Sequence, residues 1–202
     1  MVSCSTTLGL ELDNKTANTL KEIAGEVGAF LSGEYLLSSG KNSDRGYFDG
    51  KMVTLSPKGA YHVGKALFDE ISTLNVDAVG GLVIGAALMV EAVAVISYVE
   101  GKPIPTFIVR EEPKGHGTHK KIEGHLQPGS RVVIVDDVIT TGRSVYEAIR
   151  AVEAEHCQVV KVIGLVDRHE GGSDKLRNEG YDFTAFLCFL PAGDVTVEQQ
   201  VS

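Results

Sequence analysis

The chain has 202 residues, 43% of them hydrophobic and 23% charged, with a formal net charge of -8. That length suits one domain with a sizeable core, and the mix excludes collagen-like, coiled-coil and wholly disordered chains. The acidic balance argues against a nucleic-acid binder, which shows a broad basic face, yet it allows a small anion held by a few concentrated cations.

The N-terminal stretch MVSCSTTLGLELDNK has no basic segment followed by an apolar core, so it does not read as a signal peptide. Apolar residues Ala17, Leu20, Ile23, Ala24, Val27 and Leu31 recur at helical spacing and predict an amphipathic helix over 14–31. Residues 32–50 are rich in Gly and Ser, with Tyr and Phe near their ends, and predict two short strands around a turn outside the main sheet. Ser56 and Pro57 are a cap and a first-turn residue for a helix running to about Leu74.

An alternation follows. DAVGGLVIG (77–85), PIPTFIVR (103–110), RVVIVDD (131–137), VVKVIGLVD (159–167) and FTAFLCFL (183–190) are short, continuously apolar strands. A helix through Val99 follows the first, and Arg143–Glu155 follows the third. This pattern predicts an α/β fold with a parallel sheet of about five strands covered on both faces. The apolar run Ala78–Val99 carries Glu91 and several small residues, so it reads as a buried strand and helix rather than a membrane span. Residues 110–129 form the one long segment without a periodic pattern, and such a loop in a compact domain is usually functional. Cys4, Cys157 and Cys188 are odd in number and far apart, with no C-x-x-C pair; neither a disulfide framework nor a zinc site is expected, and a reducing cytoplasm is.

The strongest chemical signal is VVIVDDVITTGRS, 132–144. A hydrophobic strand ends in Asp136 and Asp137, the turn Thr140-Thr141-Gly142 follows, and a helix begins at Arg143 and Ser144. Ligands of parallel sheets sit beyond the carboxyl ends of the strands, and a helix N-terminus attracts phosphate. Two adjacent acids there suit two neighbouring sugar hydroxyls, and the turn suits a 5′-phosphate. Helix capping alone needs fewer polar residues than this. The segment lacks the Gly-Lys-Ser/Thr ending of a Walker A loop and lacks G-x-G-x-x-G.

This segment resembles the 5-phosphoribosyl-1-pyrophosphate (PRPP) motif of the type I phosphoribosyltransferases. The loop after Arg110 gathers Lys114 and His116 among Gly115 and Gly117, cations able to swing over a bound polyanion. With Ile122-Glu123-Gly124 it is similar to the mobile catalytic loop of orotate phosphoribosyltransferases. Leu37–Lys41, Tyr47-Phe48-Asp49 and Val53–Pro57 resemble that family's N-terminal hood, and Val166–Gly172 resembles the segment whose arginine, here Arg168, contacts orotate. The chain departs from the pattern at Glu111, where Lys is common, at Ser38, where many relatives have Lys, and at Asp44-Arg45-Gly46, where aromatic residues are frequent. It departs again at Gly85-Ala86-Ala87-Leu88, where Gly-Ala-Asp-Pro is usual.

The resemblance implies Mg2+-dependent transfer of ribose 5-phosphate from PRPP to orotate. It implies a single domain with a helix and hood over about 15–50, an α/β core over 51–190 and a mobile loop over 110–129. The implied PRPP site is Arg110, Lys114, His116, Asp136, Asp137, Val138, Ile139, Thr140, Thr141, Gly142, Arg143 and Ser144, and the implied orotate site is Tyr47, Phe48, Thr140 and Arg168. Lys114, His116, Asp136 and Asp137 carry the catalysis, no protein side chain is assigned to the metal, and a homodimer with the loop acting across its interface is implied. A transferase for another base and a PRPP-binding regulator without catalysis remain alternatives.

Overall fold

A computed structural model describes residues 14–31, 35–36, 42–43, 46–112, 121–189 and 195–197. Helix α1 (Asn14–Glu26) opens the chain and buries Ala17, Leu20, Ile23 and Ala24. It stops short of the expected Leu31 because Gly28 turns left-handed at φ 67°, and the chain then enters a strand.

Next come β1 (Phe30–Leu31), β2 (Tyr35–Leu36), β3 (Asn42–Ser43) and β4 (Tyr47–Phe48). β1 pairs antiparallel with β4, and β2 with β3, so the expected pair of short strands is two nested pairs. A helix too short to show periodicity, α2 (Gly50–Thr54), follows. α3 (Pro57–Ile71) begins as predicted, with the Ser56 hydroxyl accepting from the Gly59 amide at 2.9 Å.

The alternating region comprises β5 (Ala78–Leu82), α4 (Gly85–Val99), β6 (Thr106–Val109), β7 (Ile122–Gly124), β8 (Arg131–Ile139), α5 (Arg143–Ala154), β9 (Gln158–Asp167), α6 (Gly172–Asn178), β10 (Phe183–Phe189) and β11 (Val195–Val197). The seven-stranded sheet has the order β11-β10-β9-β8-β5-β6-β7. The predicted strands are the parallel ones, β10 through β6, while β7 and β11 add antiparallel edges. The sheet is therefore mixed rather than purely parallel.

Side chains alternate between its faces, as the pleat requires. Val133 and Val135 of β8 join a core with Leu20, Leu67, Met89 and Val93 from α1, α3 and α4. Val132 and Ile134 join the opposite core with Val145, Ile149 and Leu176 from α5 and α6. With both faces covered, the free space for a ligand lies at the carboxyl edge of the strands.

Candidate active site

Five parallel strands deliver their ends to that edge. β8 does not stop at the acids as expected. It runs through Asp136 and Asp137 to Ile139 because the ladder with β9 continues there, pairing Val138 with Val166 and Ile139 with Asp167. The acids are thus held by strand geometry rather than by a loose turn. Asp136 is 7% and Asp137 8% exposed, and the Asp137 amide donates to Asp136 Oδ1 at 3.1 Å.

Their walls are glycines. A Cβ on Gly50 of α2 would stand 2.8 Å from the Asp137 Cβ, and one on Gly85 at the start of α4 would collide with the Asp137 carboxylate. Any other residue at either place would push the acids out of position. Burial drives Asp136 well above the usual carboxylate range, and the neighbouring Asp137 charge adds to it. Burial also raises Asp137, with the Lys51 ammonium the largest opposing influence. This is a concentration of negative charge that the fold leaves costly.

Beyond Ile139 the chain turns through Thr140, Thr141 and Gly142 into α5. Gly142 takes φ 78°, a left-handed conformation that a side chain would strain, and no side chain caps the helix. Thr140 is half-buried, while Thr141 and Arg143 are exposed. The turn is braced from behind by Gly172, whose amide donates to the Thr140 carbonyl at 2.9 Å and whose missing side chain permits the approach. Val138 and Ile139 pack in the sheet, so only their backbone faces the edge. The turn and the uncapped first amides of α5 form a cradle of the kind that attracts anions.

β9 ends at Asp167, fully buried, and hands over to Arg168 at 2% exposure. The Arg168 amide donates to the Ile139 carbonyl at 2.9 Å, tying this strand end to the cradle. Its guanidinium donates to Glu170 Oε1 at 2.9 Å and to the Gly46 carbonyl at 3.3 Å, and stands 5.0 Å above the Phe189 ring. The arginine therefore joins the β1–β4 hood to the sheet edge. Tyr47 is half-buried in that hood, whereas Phe48 is 1% exposed with its ring 5.2 Å from Phe30. Expected against a ligand, Phe48 belongs to the core, because the two-residue strand alternates and turns it inward.

Arg110 follows β6, and its amide donates to the Lys121 carbonyl at 2.8 Å. Its guanidinium pairs with Glu123 at 3.0 Å. The segment 110–129 is thus a long excursion whose stems are the antiparallel pair β6–β7, with Lys121 anchored on Glu147 of α5 at 2.8 Å. Lys114 and His116, with Gly117, lie outside the described residues, as do Leu37, Ser38 and Lys41 of the hood. Among the described residues, no group of three His, Cys, Asp or Glu side chains could hold a metal ion. The paired carboxylates are hard oxygen donors and suit Mg2+, which keeps much of its water shell and commonly rides on substrate phosphates.

A buried acid pair, an uncapped helix start and an arginine at the next strand end meet at one edge of an α/β sheet, and the comparisons identify the class of protein. The phosphoribosyl transferase domain family matches residues 50–184. The orotate phosphoribosyltransferase of Aquifex aeolicus is 44% identical over 146 residues, covering 72% of this chain and 79% of that one. A solved orotate phosphoribosyltransferase of Mycobacterium tuberculosis, in complex with Fe(III) dicitrate, aligns at TM-score 0.73 and 31% identity over 87% of this chain and 99% of that one. The same enzyme in complex with PRPP aligns at TM-score 0.67 and 25% identity over 88% and 91%. The chain belongs to the orotate phosphoribosyltransferase family.

Asp136, Asp137, the turn after them and Arg168, all singled out in the sequence, come together at this edge. Lys51, Gly50 and Gly85 join them there. The Asp49–Lys51 pair is local, but nothing near Lys51 in sequence points to Asp137, and Gly50 stands out only as a small residue between Asp49 and Lys51.

Proposed function

We propose that this protein transfers ribose 5-phosphate from PRPP to N1 of orotate, giving orotidine 5′-monophosphate and pyrophosphate in pyrimidine biosynthesis. The observation that carries the reading is the Asp136–Asp137 pair held beside the uncapped start of α5. The C1′–O bond to pyrophosphate breaks and the C1′–N1 bond forms, through an oxocarbenium-like ribose. No covalent nucleophile is needed, so the protein's work is positioning and charge stabilisation.

Asp136 and Asp137 accept hydrogen bonds from the two ribose hydroxyls and so orient C1′. The backbone from Val138 to Ser144, with the Thr140 and Thr141 hydroxyls, receives the 5′-phosphate. Arg110, Lys114 and His116 neutralise the departing pyrophosphate. Arg168 supplies positive charge for the orotate carboxylate, its fork steadied by Glu170 and the Gly46 carbonyl. Tyr47 borders the base, with Phe48 supporting it from the core. Bound beside Asp136 and Asp137, Mg2+ would supply neutralisation of the pyrophosphate charge.

The reading extends to a single catalytic domain, to a homodimer in which the 110–129 loop serves the neighbouring site, and to a cytoplasmic setting. No helix among the described residues is long and apolar enough to cross a membrane. The test is PRPP-dependent turnover with Mg2+ and orotate, uracil or a purine in competition, followed by orotate absorbance. Orotate should be consumed and the other bases should compete weakly. Turnover of another base in preference to orotate would reassign the substrate, and PRPP binding without product would make the protein a regulator.

A further inference from the structure

The segment Asp49-Gly50-Lys51, at the start of α2, reaches the acid pair from 86 residues away along the chain. Asp49 caps α2, its carboxylate accepting from the Lys51 amide at 3.1 Å. The same Oδ1 stands 3.0 Å from the Lys51 ammonium. Gly50 lies flat against Asp137, where a Cβ would stand 2.8 Å from the Asp137 Cβ and 2.9 Å from Oδ2. The Lys51 ammonium then lies 4.0 Å from Asp137 Oδ2. One tripeptide thus orients a cation, removes the side chain that would block its approach, and aims it at one of the two buried acids.

We propose that Lys51 is a positioning residue for PRPP: it is the counter-charge that holds the Asp137 carboxylate in place at the sheet edge until the ribose hydroxyls arrive. This rests on the transferase reading above. Two neighbouring carboxylates shielded from water repel one another, and a cation nearby offsets that repulsion. At 4.0 Å the contact is an ion pair without a short hydrogen bond, so the Asp137 oxygens keep their acceptor capacity for a ligand. The Lys51 side chain is 38% exposed, against 12% for Asp137, so the lysine sits at the mouth of the site and the acid at its floor. Burial works against the lysine's charge, but the Asp49 hydrogen bond and the Asp137 and Asp49 charges hold it protonated above its ordinary range. Serving the ribose rather than the base, Lys51 should act on PRPP and leave orotate alone.

The experiment compares wild type, Lys51→Met and Lys51→Arg by calorimetric titration with PRPP and Mg2+ in the absence of orotate, then by steady-state turnover. Lys51→Met should weaken PRPP binding and raise its KM about tenfold, the scale of one charge-assisted contact. Its kcat should change less than threefold and its KM for orotate should not move. Lys51→Arg should restore most of the PRPP affinity, which a merely structural role for the stem would not predict. Melting temperatures of all three should agree, since the side chain is part-exposed. If wild type binds PRPP and Lys51→Met binds it equally well, or Lys51→Arg is as weak as Lys51→Met, the lysine's role falls while the transferase reading stands. If wild type neither binds nor turns over PRPP, both fall.

Discussion

Neighbouring strands of one sheet carry two buried charge clusters that are built in opposite ways. On β9, Lys161 lies between Glu70 at 2.9 Å and Asp182 at 3.2 Å, its side chain 10% exposed. Burial opposes its charge, but the Glu70 hydrogen bond and the two acids more than offset this, and its pKa is raised. On β8, Asp136 and Asp137 are as deeply buried, yet their described ion pair is the distant one from Lys51. In the first cluster the lysine touches both of its acids, whereas in the second the ammonium stops 4.0 Å short of Asp137. Buried charge in direct contact with its partners serves the fold, whereas buried charge left at a distance from its partner is the kind that gathers at functional sites.

The strongest way to break this contrast is through the loop cations, to which the proposed function gives the departing pyrophosphate. Lys114→Ala should lower turnover about 10²–10³-fold, the scale for losing one preorganised charge contact, and leave the melting temperature unchanged. Unchanged turnover would remove the loop from the mechanism. Asp137→Asn comes next. PRPP affinity should fall about 10- to 100-fold, and binding of orotate alone should hold, by calorimetry. Equal loss of both would make the acids structural and erase the contrast with Lys161.

The converse change sharpens it. Lys161→Met strands Glu70 and should destabilise the fold by about 2 kcal/mol in denaturant titration, while turnover per folded molecule stays at wild type. A loss of specific activity would mean that this cluster also serves the site. The smallest effect is opposite in sign. Asp136→Asn should raise the melting temperature of the ligand-free protein by about 2–4 °C, the shift that goes with about 1 kcal/mol in a chain of this size.

The pH dependence follows from the same cause. The folded values of Asp136 and Asp137 lie above the ordinary carboxylate value, so between the two values the folded state binds more protons than the unfolded one. These acids therefore make the ligand-free protein less stable as pH rises through that window, and Asp136→Asn should flatten the slope.

Much of this was legible in the sequence because it is local. The five parallel strands announce themselves as short apolar runs, and Ser56-Pro57 caps α3 as its chemistry requires. The acids and the cradle share thirteen consecutive residues, 132–144. What escaped reading is short or made by distant partners. α6 is seven largely polar residues, and α2 is five. β7 owes its strand to pairing with β6, and one apolar residue in Ile122-Glu123-Gly124 gives no periodicity. The end of β8 was misplaced because acids usually mark a strand's edge, whereas here the β9 ladder carries the backbone past them. The inward place of Phe48 depends on Phe30, whose ring lies 5.2 Å away on the paired strand. Lys51 is invisible without the fold, since nothing near it in sequence names Asp137.

The account's central claim is that the β8 acids carry charge reserved for PRPP. It is tested most directly by thermal unfolding of wild type and Asp137→Asn with and without PRPP and Mg2+. At a PRPP concentration about 100 times its dissociation constant, wild type should gain about 2.7 kcal/mol, visible as a rise of several degrees. Asp137→Asn at the same concentration should gain only about 0.4–1.4 kcal/mol, as a 10- to 100-fold weaker affinity requires. An equal rise in both proteins, or none in wild type, would contradict the claim.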